Sequence, residues 1–195
     1  MSSNIDVAVP PFGSATTAGV RANFLAAKDE ILALQNCFGF ANYHDLETNT
    51  APIALTANVW STLTNDAAGS LTLNKLPSDV ATLWNATTDR FDFTDLPLYS
   101  QMTGRFDITI TTAGNNQDID VQALVGIGSS SAYSFPLMTQ HRFATAGTHQ
   151  VNIFNGMYIG SSDIQNYPAA IQIRSTGIAT VKVAGWYLSI VKPTF

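Results

Sequence analysis

Along residues 16 to 38, TTAGVRANFLAAKDEILALQNCF, apolar side chains recur at alternating four- and three-residue steps: Val20, Phe24, Ala27, Ile31, Leu34 and Phe38. That spacing aligns them on one stripe of an α-helix and forms the heptad seam of a coiled coil. Thr16 or Thr17 can cap the helix and Gly39 ends it, so a run from roughly Ala18 to Phe38 would be about 30 Å long. The alternative is an amphipathic helix laid on its own domain. Against it, the rest of the chain offers no second helix, and the three-four spacing persists through all the seam positions. Fewer than three full heptads are marginal alone, so the seam predicts an oligomeric stem that also needs its heads to associate.

Beyond about Ala51 the period falls to two. Val59 to Leu63 and Leu71 to Leu73 are short apolar alternations separated by the turn-rich NDAAGS. LWNATTDRFDF follows, then GRFDITITTAG with Phe106, Ile108 and Ile110 in one phase, and NNQDIDVQALVGIG with Ile119 and Val121. SFPLMTQHRF, THQVNIFNG, AAIQIRS and IATVKVAGWYLSIV complete the set. In the last, Val181 and Val183 hold one phase whereas Trp186, Leu188 and Ile190 hold the other, which predicts a β-bulge at Gly185. About eight short strands without interleaved helices predict a mainly β fold, an antiparallel jelly-roll sandwich behind a short N-terminal coiled-coil helix. The domain reading is an extended arm over 1–15, a stem helix over 16–39 and a β-sandwich head over 40–195.

Composition narrows the surroundings. Only 12% of the 195 residues are charged and 46% are hydrophobic, so Thr, Ser, Asn and Gln must make the solvent face, as in extracellular or virion β proteins. Nine Lys and Arg against 14 Asp and Glu give a net charge of -5, with no basic cluster to bind nucleic acid. A single cysteine, Cys37, excludes an intrachain disulfide framework. MSSNIDVAVPPFG lacks a basic segment leading into an apolar one, and no apolar run approaches the roughly 18 residues of a membrane helix. The expectation is synthesis in a host cytoplasm without a targeting signal, and no membrane insertion.

Enzymatic chemistry needs a constellation, and the sequence offers few members for one. His44, His141 and His149 lack metal-ligand spacing, and Cys37 has no neighbouring histidine or nucleophile motif. Gly126 and Gly128 are too few for a phosphate loop. Paired carboxylates could cleave a glycan, but Asp89, Asp92 and Asp95 surround a turn, and Asp118 and Asp120 share the outward face of a strand. A cation near a subunit contact is the alternative reading of these acids. The expectation is no catalytic residue, no resident metal and no cofactor. Tyr133, Phe135, Tyr158 and Tyr167 are candidates for stacking on sugar rings, with core or interface packing as the competing role.

Two segments carry a family resemblance. VRANFLAAKDEILAL, residues 20 to 34, resembles the short helix near the N-terminus of small tailed-bacteriophage virion proteins, with their V-R-x-N-F-x-x-x-K-x-E-I pattern. LWNATTDRFDF, residues 83 to 93, with VKVAGWYLSIV, residues 181 to 191, is similar to phage structural proteins with a trimeric jelly-roll head and to heads of the C1q and tumour-necrosis-factor type. The resemblance implies a homotrimer whose heads surround an axis continuous with the stem. The heptad alone requires only some oligomer.

These readings converge on a non-enzymatic virion structural protein at the particle surface, a capsid fibre or decoration or a short tail fibre. Other virion proteins, of capsid or tail, would hold it through Val7, Val9, Pro10, Pro11 and Phe12 of the arm, an extended segment too short to form its own core. Alternatives are a receptor-binding fibre tip whose partner is host surface glycan, a glycan-degrading virion enzyme, and a secreted C1q-like recognition domain.

Overall fold

The computed structural model describes residues 17 to 193. Helix α1 spans Thr17–Gln35, and β1, Phe38–His44, follows almost at once. A short helix α2, Glu47–Thr50, precedes β2, Ile53–Leu55, β3, Ser61–Thr62, and β4, Leu73–Lys75. A small hairpin joins β5, Trp84–Asn85, to β6, Arg90–Phe91. The long strands are β7, Gln101–Thr112, β8, Gln117–Val125, β9, Tyr133–Phe143, and β10, Gly147–Tyr158. After helix α3, Ser162–Asn166, come β11, Ala170–Ser175, and β12, Ala179–Val191.

The strands form two principal sheets. One runs β10-β7-β12-β1-β4 with β2 also paired to β12, and the other runs β3-β11-β8-β9. All the pairings are antiparallel. Taken in chain order as β1/β2, β3, β7, β8, β9, β10, β11 and β12, the strands give a first-eighth-third-sixth sheet facing a second-seventh-fourth-fifth sheet. That is the jelly roll expected from the strand spacing.

Strand β12 shows why the sequence changes phase. Ala179, Val181 and Val183 are buried, and so are Trp186, Leu188 and Ile190, with the register shift between Val183 and Gly185. The extra residue turns both halves toward the core. A Cβ on Gly185 would lie 2.9 Å from the carbonyl oxygen of Tyr43, so the bulge requires glycine there. Side chains secure the spot: Thr48 Oγ1 accepts from the Val183 amide at 2.7 Å, and Asp45 accepts from the Thr48 amide at 2.8 Å.

The core between the sheets is aromatic at its centre. Trp186 and Phe106 meet edge to face at 5.4 Å, Trp84 contacts Trp186 at 5.9 Å, and Phe91 contacts Trp84 at 4.7 Å. The β5–β6 hairpin supplies Trp84 and Phe91, so LWNATTDRFDF acts as a plug. Asn85 Oδ1 accepts from the Thr87 and Thr88 amides to close its turn, and Trp84 Nε1 donates to the Asn65 carbonyl at 2.8 Å.

One sequence expectation needs correction. Phe38 does not extend the helix but opens β1, paired with Val191, and the boundary between helix and head moves from residue 39 to the Asn36-Cys37 link. The three-four spacing reaches Phe38, but FGFANYH also alternates, and seven register pairs with β12 favour the strand. Gly39 faces inward, where a Cβ would meet Pro77 Cδ at 2.5 Å. Beyond Phe38, the rest of β1 falls between the predicted helix and the strands predicted from about Ala51. The arm, with Val7, Val9, Pro10, Pro11 and Phe12, lies outside the described residues.

The link itself is clamped. Asn36 Oδ1 accepts from the Ser78 amide at 2.9 Å, and Asn36 Nδ2 donates to Asp79 at 3.1 Å. Asp79 pairs with Lys192, whose amide donates to the Cys37 carbonyl at 2.7 Å. The hydrogen bond from Lys192 is the main cause holding the Asp79 carboxyl below its ordinary value of 3.8, against an opposing push from burial.

Trp186→Ala should destabilise the head by about 3–5 kcal/mol, read as a lower denaturant midpoint at unchanged slope, because a fully buried indole leaves a cavity. Asp79→Asn should cost less than about 1 kcal/mol at pH 7, the range of a half-exposed ion pair. A carboxyl with a depressed folded pKa stabilises above its unfolded value and loses that contribution as pH falls through the folded one. The melting-temperature gap between wild type and Asp79→Asn should therefore close as pH drops below 3.8.

Candidate functional site

Helix α1 carries its apolar stripe into solvent. Val20, Phe24, Ile31 and Leu34 are exposed, Phe24 by 73%, and Ala27 is half-buried. Leu25 and Leu32 are exposed beside them. Near the C-terminal end of the helix, helix and head line a cleft formed by Leu32, Ala33, Asn36 and Ser78. Among the described residues, Val20, Phe24, Ile31 and Leu34 thus lie exposed on the helix with Ala27 between them, while Phe38 stands on the adjoining strand.

The acids that a hydrolase reading would use are engaged in structure. Asp118 lies opposite Arg142 and Asp120 opposite Arg174, and each pair is bridged, at 2.8 and 2.7 Å. Arg142 is the chief cause depressing the Asp118 carboxyl; for Asp120, burial pushes upward, but the Gln140 amide and Arg174 outweigh it. Arg174 also sits over the Trp60 ring at 4.8 Å. Asp92 Oδ1 accepts from the amide and hydroxyl of Thr94, Asp95 accepts from the Ala81 amide, and Asp89, at φ 53°, accepts from the Asn65 amide. Burial pushes the Asp89 carboxyl up.

The remaining candidates are dispersed. His149 stacks on Phe143 at 4.0 Å, His141 meets Phe143 edge on, and His44 meets Tyr187 at 5.1 Å. Cys37 is half-buried and donates its thiol to the Ala33 carbonyl. Among the described residues no group of three His, Cys, Asp or Glu side chains is disposed to hold a metal, and no helix is long and apolar enough to cross a membrane. Tyr133, Tyr158 and Tyr167 are exposed and Phe135 is half-buried. Tyr158 stacks with Tyr99, a residue at φ 70° that the sequence did not single out.

A larger feature escaped the sequence reading altogether. On the outer face of the β10-β7-β12-β1-β4 sheet, the register aligns Phe38 with Val191, Gln101 and Tyr158, and it aligns Leu73 with Asn42, Tyr187, Arg105 and Phe154. Phe154 is 68% exposed and Phe38 58%, with Phe40, Leu73, Tyr158 and Val191 also exposed. Arg105 lies over the Tyr187 ring at 4.0 Å and pairs with Asp107 at 3.0 Å. Farther from α1 the same face changes character: Thr109, Lys182 and Gln150 share one row, and Thr111, Thr180 and Thr148 another. Alternation in THQVNIFNG is visible in sequence, but which phase faces solvent depends on pairing with β7.

No protein-family model and no curated protein matches the chain. Among solved structures it is similar to the VP2 protein of infectious bursal disease virus, at 8% identity, over 80% of this chain and 31% of that one, with a TM-score of 0.46. It therefore spans under a third of that protein's length. It is also similar to the PRD1 vertex protein, at 14% identity, over 82% of this chain and 98% of that one, with a TM-score of 0.35. An Eiger tumour necrosis factor from S. frugiperda is similar at 8% identity, over 81% and 94% of the two chains, with a TM-score of 0.35.

Proposed function

We propose that the chain is a non-enzymatic bacteriophage virion structural protein that works as a homotrimer. Residues 1–15 attach it to the particle, α1 assembles three chains about one axis, and the jelly-roll head projects outward as a capsid fibre or decoration or a short tail fibre. The observation that carries this reading is the exposed stripe of α1, with Val20, Phe24, Ile31 and Leu34 left without cover from their own head. A heptad stripe is complementary to an identical stripe, so copies of the same chain are its natural occupants. The V-R-x-N-F-x-x-x-K-x-E-I pattern supports the phage origin, and the engagement of Asp118, Asp120, Asp92 and Asp95 in pairs and turns supports a mechanical role.

Host-glycan binding is the second reading, favoured by the exposed rings of Tyr133, Tyr158 and Tyr167. Tyr158 lies in the register row that begins at Phe38, the end of the head from which the stem leaves. With the stem on the particle, that end faces inward, which favours structural work for this ring over receptor contact.

The purified protein should scatter light as three times the 20.9 kDa chain mass at micromolar concentration; a monomer mass overturns the reading. Ile31→Asp should separate the stems by burying an uncompensated charge, seen as lost crosslinking along α1. Removing residues 1–15 should leave a folded trimer that no longer enters virions; normal copy number in particles would reverse the proposed polarity.

A further inference from the structure

We propose that the half of the β10-β7-β12-β1-β4 outer face nearest the stem is where the heads contact one another, the occupant being a second copy of this chain. The proposal rests on the trimer reading and adds to it the surface that the heads use. Its first support is the division of the face. Near α1 it presents Phe38, Phe40, Leu73, Phe154, Tyr158 and Val191 among Gln101, Thr103, Ser189 and Lys75, whereas beyond the Asp107 row it presents threonines, Gln150 and Lys182 with no large apolar side chain among them. A face evolved for water alone has no reason to sort these side chains by distance from a helix. The opposite sheet shows the contrast: its outer face carries matched Asp118–Arg142 and Asp120–Arg174 pairs and a Gln122–Gln172 hydrogen bond.

The identity of the occupant follows from continuity. The self-complementary stripe of α1 reaches Leu34, and Phe38 begins the apolar face after the Asn36-Cys37 link. Asn36, Ser78, Asp79 and Lys192 hold that link to the head, so the point at which α1 leaves the sheet is fixed within one chain. Copies joined along the stem must therefore arrive beside β1. A groove of about 230 Å³ awaits them, lined in part by Asn42, Arg105, Phe154, Tyr187 and Ser189. Arg105 Nε is buried without a hydrogen-bond partner among the described residues, a donor that an acceptor from the neighbouring copy would satisfy.

The test uses the full chain in three forms: wild type, Phe154→Glu on the apolar half, and Gln150→Glu on the polar half of the same strand. Phe154→Glu should raise the dissociation constant of the trimer in sedimentation equilibrium by about tenfold or more, as for a central contact, while Gln150→Glu should leave it within about twofold. In wild type, hydroxyl-radical labelling of Phe40, Phe154 and Tyr158 should be low in the trimer and rise on dilution to monomer. A wild-type trimer that labels these residues freely, or that Phe154→Glu does not weaken, overturns the head interface while leaving the stem reading intact. A wild type that never associates overturns the trimer reading itself. Protection that persists in monomer and disappears on deletion of residues 1–15 assigns the face to the arm and overturns the proposal.

Discussion

Everything in the head depends on β12 being paired along its length. It joins β7 on one side and both β1 and β2 on the other, and it supplies Trp186 to the aromatic centre. The constraint is one of phase: a regular strand would turn either the valines or the tryptophan half to solvent. Gly185 removes the conflict by admitting one unpaired residue, and Asp45 and Thr48 satisfy the polar groups around it. The sandwich then closes on a single apolar interior, and the corner carrying α2 is fixed as a by-product.

This constraint explains what could be read in advance. Val181, Val183, Trp186, Leu188 and Ile190 announce both strand and bulge because the two phases are adjacent in sequence. The strand spacing from Phe106 to Ile190 likewise announces the sandwich. Strand β1 was hidden because Phe38 satisfies two periods at once, and its fate is settled by Val191, far along the chain. The helix carrying Val20 to Leu34 was legible, but the place of Phe38 was not.

The same division applies to the surface. Asp118 and Asp120 were assigned to an outward face from their alternation with Ile119 and Val121, and the structure adds the arginines that share it. The apolar outer face could not be seen at all, since Phe40, Leu73, Phe154 and Val191 come from separate parts of the chain and meet only through strand order. A face of this kind leaves no local motif. Its members resemble core residues one at a time, and only their joint exposure distinguishes them.

The short link between α1 and β1 has a mechanical consequence. Tension applied through α1 enters the head at Phe38, the first residue of β1, which lies antiparallel to β12 over seven residues. The interstrand hydrogen bonds stand across the strands, so a pull along β1 loads them together in shear. The Asp79–Lys192 bridge ties the entry point to the adjacent C-terminal end of β12, spreading the load over both strands at their shared end. Against a pull along the strand, the whole length of a β-ladder holds the head to α1.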